Sequence, residues 1–140
     1  MNIWIFNHYA VPPDLAGGTR HYDMGSELVR RGHQVTVIAT SFRHHLHRET
    51  RLQPGVRWKV EDFDGVKFVW IRTPTYQRND WRRVWNMGVF MLRAWWLGWK
   101  LPKLGPKIRR PDVVIGSSPH LLTPLAAYWV AAHHRAKFIM

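Results

Sequence analysis

The 140 residues predict an α/β fold, a parallel sheet with helices on both faces. Three observations carry this. Short apolar runs rich in β-branched and aromatic residues recur along the chain, and they read as buried strands. Segments with helical spacing lie between them, and strand–helix alternation implies right-handed crossovers and parallel pairing. A Pro/Gly-rich loop follows the first apolar run, where an open α/β sheet places its ligand.

The first strand is Asn2-Ile3-Trp4-Ile5-Phe6. Pro12, Pro13, Gly17 and Gly18 then break regular structure. Thr19 is a natural N-cap, and Tyr22, Gly25, Leu28 and Val29 recur at helical spacing. Gly32 stops this helix after Arg30 and Arg31, which suit its negative end. Gln34 to Ala39 is the second strand. Phe42 to Gly55 is a basic, His-rich connection; His44, His45 and His47 lack a carboxylate or cysteine at ligand spacing, so a solvated loop is expected and no metal. Val56 to Val60 and Val66 to Ile71 form two strands around the turn Asp62-Phe63-Asp64-Gly65. Pro111 to Gly116 is a strand and Ser117 to His120 a loop. Leu121 to His133 is a helix with Pro124 in its first turn, where proline is tolerated. Ala136 to Met140 is the last strand.

Composition bounds the function. A hydrophobic fraction of 46% fits one globular domain long enough to bury a core. The absence of cysteine excludes disulfides and thiolate metal sites. Met1-Asn2-Ile3 enters the first strand directly, so no signal peptide is expected. A formal charge of +12 draws the molecule to polyanions: nucleic acid, phosphorylated substrates or anionic lipid.

The Gly17-Gly18 loop has the ingredients of a phosphate cradle, because it leads into a helix N-terminus whose N–H groups and dipole favour an anion. A tight turn with no ligand is the alternative. Neither G-x-G-x-x-G nor G-x-x-x-x-G-K-[ST] occurs, and Ser41-Phe42, not an acidic residue, ends the second strand. A nicotinamide cofactor and a P-loop nucleotidase are therefore disfavoured. If the strand order is 3-2-1-4-5, Asn7 to Gly18 and Gly116 to His120 would face each other across one crevice at the switch point.

Trp81 to Leu104 needs a separate account. It holds Trp81, Trp85, Trp95, Trp96 and Trp99 among Arg82, Arg83, Arg93 and Lys100. Arg93 in the middle argues against a membrane span. Two compatible readings remain: a helix covering the sheet, and an amphipathic helix on an anionic membrane surface through these tryptophans and arginines. Tryptophan beside arginine also suits single-stranded nucleic acid. No recognisable RNA- or DNA-binding motif supports nucleic acid as a partner.

The motifs Tyr9-Ala10-Val11-Pro12-Pro13, Gly17-Gly18-Thr19-Arg20-His21-Tyr22, Arg31 to Ala39 and Pro111 to Pro119 together resemble a family 4 glycosyltransferase. The likeness is nearest to the bacterial subgroup that builds surface polysaccharides such as colanic acid and O-antigen, including the fucosamine transferases. It implies a GT-B fold whose N-terminal Rossmann-like half recognises the acceptor, and residues 1–140 would be that half. The C-terminal donor-binding half is absent from the sequence, so the chain reads as a truncated domain, inactive alone and prone to associate.

The implied chemistry is retaining transfer from a nucleotide-diphosphate sugar, without metal or further cofactor. The acceptor would be a lipid-linked saccharide, at the inner face of the bacterial cytoplasmic membrane. Gly17, Gly18 and Thr19 would approach the donor diphosphate, with Arg20 stabilising the leaving phosphate. Family members place the donor sugar with a histidine after the fourth strand; here Ser117 and His120 both fall near that place. No catalytic residue is assigned. The rival reading is a non-catalytic basic module binding anionic membrane or nucleic acid.

Overall fold

The computed structural model describes residues 1–104, 107–117 and 121–140. A six-stranded sheet runs β5-β6-β2-β1-β7-β8, and a two-stranded ribbon, β3-β4, lies outside it. The strands are β1 (Asn2–Phe6), β2 (Gln34–Thr40), β3 (Phe42–Arg43), β4 (Arg48–Glu49), β5 (Trp58–Phe63), β6 (Val66–Ile71), β7 (Val113–Gly116) and β8 (Lys137–Ile139). The helices are α1 (Arg20–Arg30), α2 (Trp81–Leu104) and α3 (Leu122–His134). All neighbours in the sheet are parallel except β5, which is antiparallel to β6. The parallel strands thus follow the order 3-2-1-4-5, with the switch between β1 and β7.

Alternation along β1 and β2 sorts the core into two layers. Ile3, Ile5, Val35, Val37 and Phe68 meet α1 through Tyr22, Leu28 and Val29. On the other face, Trp4, Phe6, Ile38, Val69 and Val114 meet α2 and α3 through Phe90, Ala94, Leu97, Ala127 and Val130. Helices therefore cover both faces.

Several local details differ from expectation. Thr19 occupies the N-cap of α1, yet its hydroxyl donates to the Asp23 carboxylate (2.8 Å) instead of accepting from the backbone. The turn between β5 and β6 is tighter than four residues. Asp64 (φ 53°) and Gly65 (φ 90°) form a two-residue loop, because left-handed residues match the twist of paired strands. A Cβ at Gly65 would also lie 2.9 Å from Val29, so glycine is needed here on two counts. The His-rich connection is only in part a solvated loop: Phe42–Arg43 and Arg48–Glu49 pair as the β3-β4 ribbon and His44 is half-buried against Tyr9 (ring centroids 4.7 Å apart), while His45, Leu46 and Arg48 are exposed. His47 is anchored through Nδ1 to the carbonyl of Tyr76 (2.9 Å).

Candidate functional site at the switch point

Three chain segments meet where β1 and β7 end. The backbone N–H of Tyr9 donates to Asn7 Oδ1 (2.8 Å), which fixes the amide's orientation. Asn7 Nδ2 then donates to His21 Nε2 (3.0 Å) and to Ser117 Oγ (3.2 Å). His21 reaches this point because α1 begins one residue earlier, and Ser117 because β7 ends at Gly116. Since Asn7 Nδ2 faces Nε2 as a donor, that nitrogen carries no proton, and its single lone pair is shared between Asn7 and the Ser117 hydroxyl (2.9 Å). Burial lowers the His21 pKa, and the neighbouring charge of Arg20 lowers it further, so the ring stays neutral. The Ser117 hydroxyl has then used its proton and one acceptor position. Its remaining lone pair can receive a hydrogen bond from a ligand hydroxyl or a water.

Beside this cluster, a cavity of about 200 Å³ opens between the ends of β1 and β2, bordered by Tyr9, Gly17, Gly18, Arg43, His44 and His45. Gly17 has φ 141°, a conformation that side-chain-bearing residues rarely adopt, and a Cβ added there would lie 3.3 Å from Val11 Cγ2. A Cβ on Gly18 would meet nothing within 4 Å. Arg43 Nη2 donates to the carbonyl of Ala16 (3.0 Å), tying the guanidinium to the glycine loop. Burial lowers the Arg43 pKa, as does Arg51. The same effect brings His44 down to about 4: burial first, then the charges of His45, Arg43, Arg83 and His47. The nearby carboxylate of Asp14 is engaged by Arg51. A concave site bordered by the Arg43 guanidinium, with no carboxylate in its lining, suits an anion.

A buried polar chain supports the site from behind. His8 Nε2–H donates to Asn86 Oδ1 (2.8 Å), and Asn86 Nδ2 donates to Thr73 Oγ1 (2.8 Å) and the Pro74 carbonyl (2.6 Å). The first turns of α2 are thereby pinned to the end of β1.

The residues expected from sequence are distributed as follows. Gly17 and Gly18 border the cavity, Arg20 is exposed at the start of α1, and Thr19 is half-buried at its cap. Ser117 sits in the Asn7–His21 cluster, while His120 lies outside the described residues. Trp81, Arg82, Trp85, Trp95, Trp96 and Trp99 are exposed on α2. Arg83 is half-buried and its charge bears on His44, and Arg93 turns toward Arg72. Sequence reasoning assigned no role to Asn7, His21, Arg43 or His44. A usable signal existed, since residues just past each parallel strand share one edge, and Asn7, Arg43 and Ser117 all satisfy it.

Residues 16–140 match the glycosyl transferase 4-like domain, and the chain belongs to that family. Its mostly parallel sheet with helices on both faces is the fold of the N-terminal half of a GT-B glycosyltransferase. No curated protein gives a match. Among solved structures, the chain is similar to trehalose-6-phosphate from E. coli bound with UDP-2-fluoro glucose, at 12% identity and a TM-score of 0.45. That likeness covers 82% of this chain and 27% of the other, so the chain spans about a quarter of its length.

Proposed function

We propose that this chain is the acceptor-side half of a retaining glycosyltransferase. The enzyme would move a sugar from a nucleotide-diphosphate donor to a lipid-linked saccharide in bacterial surface polysaccharide synthesis, at the inner face of the cytoplasmic membrane. One observation carries the reading: within a glycosyl transferase 4-like domain, the glycine loop, the α1 N-terminus and the Asn7–His21–Ser117 cluster converge at the switch point. The loop and helix N–H groups would meet the diphosphate, with Arg20 and Arg43 supplying charge as the phosphate leaves. Ser117 would accept a hydrogen bond from a sugar hydroxyl. Most of the donor would be held by a second domain.

The membrane part rests on α2. Trp81, Trp85 and Trp96 are 69%, 59% and 45% exposed, and Lys100 stands 4.6 Å over the Trp96 ring. Among the described residues no helix is long and apolar enough to cross a membrane. Tryptophan and lysine together suit an interface.

The test is Gly18→Val in the enzyme completed by its donor-binding half. The added Cβ meets no protein atom within 4 Å, so there is room for a side chain here, and the branched group projects into the space proposed for the ligand; an unchanged circular dichroism spectrum checks that the fold is kept. Transfer to a lipid-diphosphate saccharide should fall at least about tenfold, the scale of losing one anion-stabilising contact. Unchanged turnover removes the loop from the donor site.

A further inference from the structure

A second cavity, of about 320 Å³, lies between α2 and the β5-β6 edge, away from the switch point. Its walls are apolar, from Trp58, Ile71, Leu92, Trp96 and Leu97, and Arg57 and Arg93 also border it. That volume is at the lower end of small-molecule sites, enough for part of one hydrocarbon chain.

The two arginines differ from the third one nearby. Arg72 is committed: Nε donates to the Val56 carbonyl (2.6 Å), Nη2 to Leu52 (3.2 Å) and Gln53 (2.6 Å), and Nη1 lies 4.0 Å from Glu49. Arg93 donates to the Arg72 carbonyl, which holds its guanidinium at the cavity mouth. Among the described residues, neither Arg57 nor Arg93 has a carboxylate within ion-pair distance. Burial and then the charges of Arg57 and Arg72 lower the Arg93 pKa, so Arg93 stands among like charges, and of these only Arg72 has a carboxylate (Glu49) beside it. An anion between them would relieve that repulsion.

An apolar chamber with uncompensated cations at its mouth matches an amphiphile with an anionic head. Leu92 and Trp96 belong both to the cavity wall and to the exposed face of α2, at 53% and 45% exposure. The chamber therefore opens beside the surface read above as membrane-facing. We propose that it takes up the headgroup-proximal part of one acyl chain of an anionic phospholipid from the bilayer, with the phosphate held by Arg57 and Arg93. This rests on the membrane reading and adds to it a stoichiometric anchoring lipid. The chamber shares no lining residue with the cavity at the switch point, so an anchored lipid leaves that crevice free.

The probe is dihexanoyl phosphatidylglycerol below its micelle concentration, titrated into the chain by calorimetry. One site per chain is expected, with dihexanoyl phosphatidylcholine at least about tenfold weaker and inorganic phosphate not detectably bound. Arg57→Gln with Arg93→Gln should weaken binding about tenfold or more. Leu92→Trp, at an exposed position, should fill the chamber and abolish binding with an unchanged circular dichroism spectrum. Equal binding of inorganic phosphate or phosphatidylcholine overturns the proposal, as does tighter binding of farnesyl diphosphate, which would make this a prenyl-carrier site. Vesicle co-sedimentation separates the two readings. Vesicle binding without saturable monomer binding sinks the lipid chamber and spares the membrane face; monomer binding without vesicle binding does the reverse.

Discussion

Helices α1 and α2 cover opposite faces of one sheet, yet their outer surfaces have nothing in common. The outward side of α1 is charged and self-compensated: Glu27 pairs with Arg31 (3.0 Å) and Arg30 (3.4 Å), and Asp23 accepts from Thr19. The outward side of α2 carries Trp81, Trp85, Leu92, Trp95 and Trp99 at spacings of three, four and seven, and the helix contains no acidic residue. Its inward stripe, Asn86, Phe90, Ala94, Leu97 and Leu101, already satisfies the sheet. Covering a sheet takes one apolar stripe, as α1 shows. A second stripe continues onto α3 through the Trp95–Trp129 contact (5.9 Å) and needs another partner.

The largest effect should come from removing the charges that flank this stripe. Arg82, Lys100 and Lys103 are exposed and lie outside the lipid chamber. Changing all three to Gln should weaken co-sedimentation with anionic vesicles at low salt by roughly 3 kcal/mol, about 1 per basic residue. That is about a hundredfold in affinity. Arg30→Gln with Arg31→Gln, the matching change on α1, should have little effect. Equal losses from both would reduce the contrast to net charge. Wild-type binding should weaken with added salt without vanishing, because tryptophan burial is not screened.

Next in size is a packing change on the inward side. A Cβ at Gly98 would lie 2.8 Å from Val130 Cγ2 and 3.3 Å from Phe6, where α2 and α3 cross. Gly98→Val should therefore destabilise the domain by about 1–3 kcal/mol through overpacking. Urea unfolding checks it. An unchanged midpoint would mean that α3 can move freely, and that the apolar surface shared by α2 and α3 has no fixed shape.

Much of this architecture was legible in the sequence. The bounds of α2 and the Pro124 entry of α3 follow from periodicity, because burial on a sheet imposes them locally, whereas the order of the parallel strands entered only as a condition, which the sheet meets. The β3-β4 ribbon was not legible. Its order depends on Tyr9 and Tyr76, which arrive from distant parts of the chain, and no local pattern reports such contacts. Strand-end topology brought the loops holding Asn7 and Ser117 to the crevice, and the family resemblance named Ser117, whereas the pairing of Asn7 with His21 was not foreseen. Their mutual hydrogen bond spans 14 residues and depends on where α1 starts, a boundary that propensity alone places only to within a few residues.

A smaller effect separates the crevice from the α2 face by pH. His44 sits at about 4 in the folded chain against an ordinary 6.5, so the folded state binds fewer protons. Stability is unaffected above the ordinary value, declines as pH falls toward 4 and is fully reduced below it. A diphosphate beside His44 would favour the charged ring, so affinity for a nucleotide-diphosphate sugar should rise over the same window in the completed enzyme. His44→Gln should flatten that rise and leave vesicle binding unchanged. A pH profile surviving in the variant would place the titrating group elsewhere.

The smallest effect tests whether the outer stripe of α2 is held open. Gly88 lies within this helix between Trp85 and Leu92, and a Cβ there meets nothing within 4 Å. Glycine inside a helix is unfavourable relative to alanine by roughly 0.5–1 kcal/mol, so Gly88→Ala should stabilise the free domain by about that much. The same methyl group would add apolar area to the outer stripe without adding charge. If that stripe contacts lipid, vesicle binding should be unchanged or slightly tighter. If a protein partner packs closely against the helix at Gly88, the added methyl would weaken that association while still stabilising the free chain. Urea unfolding and vesicle co-sedimentation on the one variant therefore tell a fluid partner from a rigid one. A gain in stability with a loss of vesicle binding would break the membrane assignment of this face.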